Sequence, residues 1–316
     1  MLPLKHLFEN FDLAKECLAL YDIREDENDL MYRHFRISSN AIYPFYAKDG
    51  GVCFLRLAPT EEKAPTDVET ELRFILWLRE KGFPIMEPYA MKNGRLTDTV
   101  QTQWGEYAVS CFRAVPGRTL EDADMDPQIA FGYGKTLGEL HALAEKYPYA
   151  AERRSYTALL SEIRERLEAH GAPQKAFSEL EAVTEALDGL EQSPAVFGLI
   201  HYDFEQDNVL FDPQSGRFGV IDPDDSLRCW YALDVMRAID DLGEKETAAF
   251  LAGYRSVRTL TEEQMQTVPL LGRLVALQEY ATILHVLSEP PEAEPDWMLR
   301  IVGKLRDKLR SIENSL

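Results

Sequence analysis

The apolar and polar positions change rhythm several times along the chain. Residues 4–21 place Leu4, Leu7, Phe8, Phe11, Leu13 and Leu18 near helical spacing, which predicts a helix. Residues 31–38 (MYRHFRIS) alternate, which predicts a strand. Two apolar runs, Ala41–Ala47 and Val52–Ala58, are joined by Lys48-Asp49-Gly50-Gly51, the signature of a hairpin. A helix then starts at Pro65-Thr66 and stops at Gly82, with Val68, Leu72, Ile75 and Leu78 as its inner stripe. Gly82-Phe83-Pro84 and Lys92-Asn93-Gly94 bracket short strands, and Tyr107–Phe112 is a further strand before Val115-Pro116-Gly117. From Asp126-Pro127 onward the period is mostly helical, with a break at Gly171-Ala172-Pro173 inside residues 156–190. Residues 268–287 and 296–313 are amphipathic, and Ser288–Asp296 (SEPPEAEPD) is a polar loop.

One stretch interrupts the helical half, residues 196–236. An apolar run from Val196 to Ile200 leads into His201, Asp203 and Asn208 in the order H-x-D-x-x-x-x-N. Val209-Leu210-Phe211 follows, then a turn at Asp212 to Gly216, then Phe218 to Ile221 ending on Asp222. This reads as strand, polar loop, hairpin and acidic loop. Asp203 and Asn208 flank one strand, and Asp222 ends its partner. Such a hairpin brings a carboxylate, an amide oxygen and a second carboxylate to one edge. That is a general base beside a hard-cation site of oxygen ligands, as phosphoryl transfer needs. A polar hairpin loop with Asx turns would also satisfy the short pattern, but the intervening hairpin favours the chemical reading.

In the first half, Arg56 lies inside Phe54-Leu55-Arg56-Leu57, where a guanidinium needs a partner or must reach out of the strand. Glu71 falls beside the inner stripe of the helix and can serve as that partner. A plain structural salt bridge and a phosphate contact by Arg56 both remain open. His141 reads as a hydrogen-bonded core histidine rather than a ligand.

Composition narrows the classes. A chain of 316 residues, 45% hydrophobic and 28% charged, is long enough for two lobes around a cleft. A formal net charge of −20 argues against nucleic acid and anionic membranes as partners, and adds a weak pull on cationic substrates. No apolar run is expected to span a membrane, and acids interrupt the N-terminus early, so a cytoplasmic location is expected. Cys17, Cys53, Cys111 and Cys229 lack metal-type spacing and are expected as buried free thiols.

The stretch around Asp203 resembles the aminoglycoside phosphotransferase and choline kinase group, small-molecule kinases with a protein-kinase-like fold. The resemblance rests on His201-Tyr202-Asp203 with Asn208, on Ile221-Asp222-Pro223-Asp224-Asp225, and on Trp230-Tyr231-Ala232-Leu233-Asp234. Two positions depart from the group's usual pattern: Tyr202 stands where Gly is usual, and Pro223 where Phe is usual. The first allows a different backbone, the second a stiffer acidic loop. The resemblance implies an α+β, two-lobed fold, with a small antiparallel-sheet N-lobe over residues 1–113 and a mostly helical C-lobe over 114–316. It implies ATP and Mg2+ as cofactors and transfer of the γ-phosphoryl group to a hydroxyl of a small-molecule alcohol. Asp203 is then the base; Asn208 and Asp222 hold the metal; Arg56 and Glu71 serve the nucleotide; His201 and Asp234 brace the loop. The loop around Asp203 carries no Lys or Arg, and one of Asp224 and Asp225 is expected to stay unpaired and take an amine of the acceptor. Aminoglycosides, choline or ethanolamine, and homoserine-like alcohols all fit that expectation. Two other classes compete. A metal-dependent phosphohydrolase would use His201, Asp203, Asp222, Asp224 and Asp225 together, and an impaired kinase-like protein would bind nucleotide without turnover.

Overall fold

The computed structural model of the protein describes residues 1–24, 29–288 and 295–316. Most of the expected loop Ser288–Asp296 lies outside the described residues. The chain opens with a 3-10 turn, Leu4–His6, and then helices α1 (Phe11–Leu18) and α2 (Leu30–Arg33). The single helix expected over residues 4–21 is therefore shorter, with Asn10 capping the α1 N-terminus through the Leu13 N–H at 2.9 Å. The strand expected over 31–38 is replaced by α2 and a two-residue strand, β1 (Arg36–Ile37). Tertiary packing overrides the alternation there: Phe11 meets Tyr32 and Phe35 edge-on, with centroids 4.7 and 5.4 Å apart.

The hairpin reading holds. Strands β2 (Ala41–Tyr46) and β3 (Val52–Pro59) pair antiparallel around Gly50, whose φ of 87° is the left-handed turn that glycine supplies. Helix α3 (Pro65–Glu80) follows, then β4 (Glu87–Pro88), β5 (Thr97–Thr102) and β6 (Gly105–Arg113). The sheet order is β1-β2-β3-β6-β4, with β5 also on β6. Strand β5 (TDTVQT) has no apolar run to signal it, since it lies at the sheet margin with no buried residue. One sheet face covers α1 through Tyr43, Phe45, Cys53, Leu55, Leu57 and Cys111. The other face takes α3, whose buried residues are Val68, Glu71, Leu72, Phe74, Ile75 and Leu78.

Beyond β6 come β7 (Arg118–Thr119) and the long helix α4 (Pro127–Ala144), which starts where the Asp126 carboxylate accepts from the Gln128 and Ile129 N–H groups. Helices α5 (Tyr156–Ala169) and α6 (Gln174–Asp188) precede the β8 strand (Phe197–Ile200). Strands β9 (Val209–Asp212) and β10 (Arg217–Val220) form the expected hairpin, and β11 (Leu227–Trp230) returns to pair with β8. Helices α7 (Tyr231–Ile239), α8 (Glu244–Arg255), α9 (Glu262–Gln266), α10 (Val268–Ser288) and α11 (Asp296–Ser315) complete the chain. Helices α4 and α8 meet through glycine. A Cβ on Gly134 would lie 2.0 Å from the Phe250 carbonyl oxygen, and one on Gly253 would lie 2.0 Å from that of Phe131. Glycine at these two positions is what permits that approach.

One expectation about membranes changes. The helical stretch Glu262–Ser288 is long and apolar enough to cross a bilayer by length and composition. In the fold, Leu271, Leu274, Leu277, Tyr280 and Ala281 of α10 are buried in the core built with α5, α6 and α7. Among the described residues all four cysteines are buried and free, as expected.

Candidate active site

Register brings the candidate residues together. In the β9–β10 hairpin Val209 faces Val220, and the Ile221 N–H donates to the Asn208 carbonyl at 3.0 Å. Asn208 and Asp222 thus stand at the same open end of the hairpin. The segment leading into β4 holds this end from the other side. Val220 N–H donates to Pro84 O at 2.8 Å, Met86 N–H donates to Val220 O at 2.9 Å, and Asp222 N–H meets Met86 Sδ at 3.5 Å.

Asp203 lies in the loop between β8 and β9. The Asn208 side-chain NH2 donates to the Asp203 carbonyl at 3.0 Å and to its carboxylate at 2.8 Å. That use of the amide nitrogen leaves the Asn208 oxygen as the atom suited to a hard cation. Burial and then the neighbouring Glu205 push the Asp203 carboxyl up to about 6, against the opposing pull of Arg237. The nearby cation absent from the loop's own sequence comes from α7: Arg237 Nη1 stands 3.5 Å from Asp203 and 2.5 Å from Glu205.

The bracing expected of His201 and Asp234 is present. The buried Asp234 carboxylate accepts from the His201 N–H and the Tyr202 N–H, both at 2.8 Å. His141, itself buried, pairs with Asp234 at 3.0 Å and with the Tyr254 hydroxyl at 2.9 Å, so it is a core histidine. Burial lowers its pKa and keeps the ring neutral despite Asp234, so Nε2–H donates to Asp234 and Nδ1 accepts from Tyr254. The His201 ring reaches across to the Ile221 carbonyl at 3.0 Å, one residue before Asp222.

Tyr202 has φ of 75°, the left-handed backbone that glycine adopts freely. The turn is kept without glycine, at a cost of about 1–2 kcal/mol that the Asp234 hydrogen bonds oppose. The Tyr202 ring is buried against Arg237, 4.8 Å from its guanidinium carbon. Pro223 opens the 3-10 turn Pro223–Asp225, where its fixed φ suits the first position.

Arg56 and Glu71 are paired as the sequence suggested. Two parallel bonds of 2.9 and 2.6 Å join the guanidinium to the carboxylate, and both side chains are buried. Arg56 also donates to Ser110 at 3.2 Å and lies 3.6 Å from Asp222. Burial would lower the Arg56 pKa, but Glu71 outweighs it and the net shift is upward. Burial, and next the neighbouring Asp224, hold the Asp222 carboxyl above its usual range. A half-exposed carboxylate beside another is the setting a divalent cation relieves. Asp222 and the Asn208 oxygen therefore fit a metal ion bound to oxygen ligands.

The expected roles of Asp224 and Asp225 do not hold. Asp224 is buried, accepts from Asn40 Nδ2 at 2.9 Å and is ion-paired with Lys63. Burial alone would raise its pKa, but Lys63 and Arg56 outweigh that and lower it. Asp225 pairs with Arg154 at 3.2 Å. Neither is the unpaired carboxylate expected for an acceptor amine, because the Pro223–Asp225 turn aims them at basic residues distant in sequence. The five-residue metal set of a phosphohydrolase fails for the same reason, with His201 turned to a carbonyl and Asp224 to a lysine. Sequence reasoning also missed Arg237, Lys63 and Asn40. No local pattern distinguishes them from surface residues.

A carboxyl held up in pKa, an amide oxygen and a second carboxylate at one hairpin end, with a buried Arg–Glu pair beside them, suit the movement of a phosphoryl group. The chain belongs to the phosphotransferase enzyme family, which it matches over residues 37–268. Its relatives include amicoumacin kinase of Bacillus subtilis (strain 168), 21% identical over 235 residues, covering 73% of this chain and 68% of that protein. Homoserine kinase of Phenylobacterium zucineum (strain HLK1) is 28% identical over 232 residues, 69% of each chain. Among solved structures, amicoumacin kinase hAmiN in complex with AMP-PNP, Ca2+ and Ami aligns with a TM-score of 0.76 at 18% identity, over 96% of this chain and 94% of that one. A microcompartment-associated aminopropanol kinase aligns with a TM-score of 0.65 at 20% identity, over 96% and 97%. These likenesses establish the fold, an antiparallel sheet region followed by a helical region in an α+β kinase-like arrangement. The enzyme is a small-molecule phosphotransferase by family.

Proposed function

We propose that the protein transfers the γ-phosphoryl group of ATP to a hydroxyl of a small, amine-bearing molecule, with Mg2+ as its metal. The observation that carries this reading is the meeting of Asp203, Asn208 and Asp222 at one hairpin end, opposite the Arg56–Glu71 pair. The complex of a structural neighbour with AMP-PNP and Ca2+ supports nucleotide and divalent metal use. Asn208 and Asp222 would hold the metal, which when bound offsets phosphate charge. Asp203 accepts the hydroxyl proton as the acceptor oxygen bonds to phosphorus and the bond to the ADP oxygen breaks. Asn208 keeps the Asp203 carboxylate aimed, and Arg237 holds its other oxygen. Arg56, oriented by Glu71, is placed to meet the phosphates. A cytoplasmic setting, which supplies ATP and keeps thiols reduced, goes with this reading.

For the amine, Asp240 and Asp241 replace Asp224 and Asp225. They line a cavity of about 260 Å3 with Gln206, Met236, Val275 and Glu205, the last already held by Arg237. Its charge is opposite to that of an ammonium group, and its rim includes the residue two beyond the base. Related proteins described as homoserine, hydroxylysine and aminopropanol kinases, by name, use acceptors carrying an amine, which supports the choice. The test is ADP release across acceptors paired by the presence or absence of the amine. Magnesium-dependent turnover of amino alcohols that Asp203→Asn loses is the expected result. Equal rates with neutral acceptors, undiminished by Asp240→Asn and Asp241→Asn, would remove the amine from the proposal.

A further inference from the structure

Arg153 sits between α4 and α5, far in sequence from every residue of the candidate site, and is 5% exposed. Its guanidinium makes six hydrogen bonds. Nη1 donates to the Asp67 carbonyl at 3.0 Å and to the Thr70 hydroxyl at 3.2 Å, both in the first turns of α3. Nη2 donates to the Asp224 carbonyl at 2.8 Å, to the Ser226 carbonyl at 2.9 Å and to the Ser226 hydroxyl at 2.8 Å. Nε donates to the Ser226 carbonyl at 3.2 Å. All of these partners are neutral. A buried cation with no carboxylate paired to it among the described residues is costly, and six hydrogen bonds to oxygen are what make it tolerable here.

The two groups it joins are the two halves of the candidate site. Helix α3 carries Glu71, which grips Arg56. The segment 224–226 follows Asp222, and Arg56 stands 3.6 Å from Asp222. Neighbouring residues reinforce the grip: Glu152 pairs with Arg73 of α3, Arg154 pairs with Asp225, and the Arg228 N–H donates to the Arg154 carbonyl at 2.8 Å. Arg56–Glu71 ties the middle of α3 to the sheet beside Asp222, and Arg153 ties its N-terminal end to the loop just past Asp222. Two separated ties fix both position and tilt, where one would leave a hinge.

We infer that Arg153 is a positioning residue for phosphoryl transfer: its planar fork sets α3 and the loop after Asp222 at the separation that lets Arg56 and Asp222 act on one metal–nucleotide complex. The inference rests on the phosphotransfer reading. Arg153 touches no reacting atom, so it acts through Glu71 and Asp222. Its fork shape is essential, because a lysine ammonium has three donors on one point and cannot span both groups.

The test is isothermal titration of the full-length protein with AMP-PNP, with and without Mg2+, alongside kcat and KM for ATP. In Arg153→Met, AMP-PNP affinity without metal should stay within about twofold, while the gain on adding Mg2+ should shrink by on the order of tenfold. Arg153→Lys should restore little of that gain. If Arg153→Met does not fold, Arg153→Lys and the pair Thr70→Val/Ser226→Ala decide, the pair giving a smaller loss in the same direction. A folded Arg153 variant that keeps the full Mg2+ gain and the wild-type KM, or full restoration by Lys, overturns the inference. A wild-type protein whose AMP-PNP binding ignores Mg2+ overturns the phosphotransfer reading instead, and the inference with it.

Discussion

Asp234→Asn should loosen the loop that carries Asp203. The wild-type carboxylate is fully buried and accepts three hydrogen bonds, from His201 N–H, Tyr202 N–H and His141. An asparagine keeps one oxygen. Its best orientation places that oxygen toward His201 and His141, because those two donors share Oδ2. The new NH2 then confronts the Tyr202 N–H, donor against donor. Stranding one buried donor costs about 1–3 kcal/mol. The two surviving bonds lose their charged acceptor, roughly 0.5–1 kcal/mol each. The sum, about 2–5 kcal/mol, should lower the unfolding midpoint of a 316-residue chain by at least about 3 °C. The stranded N–H belongs to Tyr202, whose φ of 75° needs an external hold. Freed, it should relax toward negative φ and carry Asp203 with it, lowering kcat by on the order of ten- to a hundredfold. Differential scanning calorimetry and steady-state kinetics on the same preparation measure both. A variant with wild-type midpoint and wild-type kcat would refute the reasoning, since the three bonds would then contribute neither stability nor alignment.

Asp203→Asn should bind nucleotide normally and lose turnover by about a hundredfold or more; near-normal turnover would show that Asp203 is not the base. The carboxyl of Asp203 is raised to about 6 in the free protein, and only its ionised form accepts a proton, so kcat/KM should be flat above pH 7 and fall tenfold per unit below about pH 6. A profile still flat at pH 5 would count against the assignment. Arg56→Met and Glu71→Gln should each cost roughly 3–5 kcal/mol by stranding a buried charge or its partner, and each should raise the KM for ATP. The double variant should cost far less than the sum, and strict additivity in urea unfolding would mean that the pair does not act as a unit.

Much of this molecule is legible in the chain because it is local. The apolar runs of β2 and β3 with the turn between them, the stripe of α3, the helices over 156–190 and the β9–β10 hairpin each come from side-chain patterns and turn residues within a few positions. The meeting of Asn208 and Asp222 is also local, since hairpin register sets it, and the Asn208 side chain five residues on draws in Asp203. The Arg56–Glu71 pair, 15 residues apart, was visible because a charge in an apolar strand demands a partner and one acid lay on the right helical face. What tertiary structure decided is which charges meet across long separations. Asp224 finds Lys63 and Asn40, 161 and 184 residues away, so the acidic run that looks available for a substrate is already neutralised. Tyr202 takes a glycine backbone because Asp234 and Arg237 hold it from α7, and nothing beside it in sequence announces that. Ion pairing depends on distance in space, and through a desolvated core it is strong enough to reassign every carboxylate in reach. Periodicity records which face of an element is buried, and it carries no information about which cation will be waiting there.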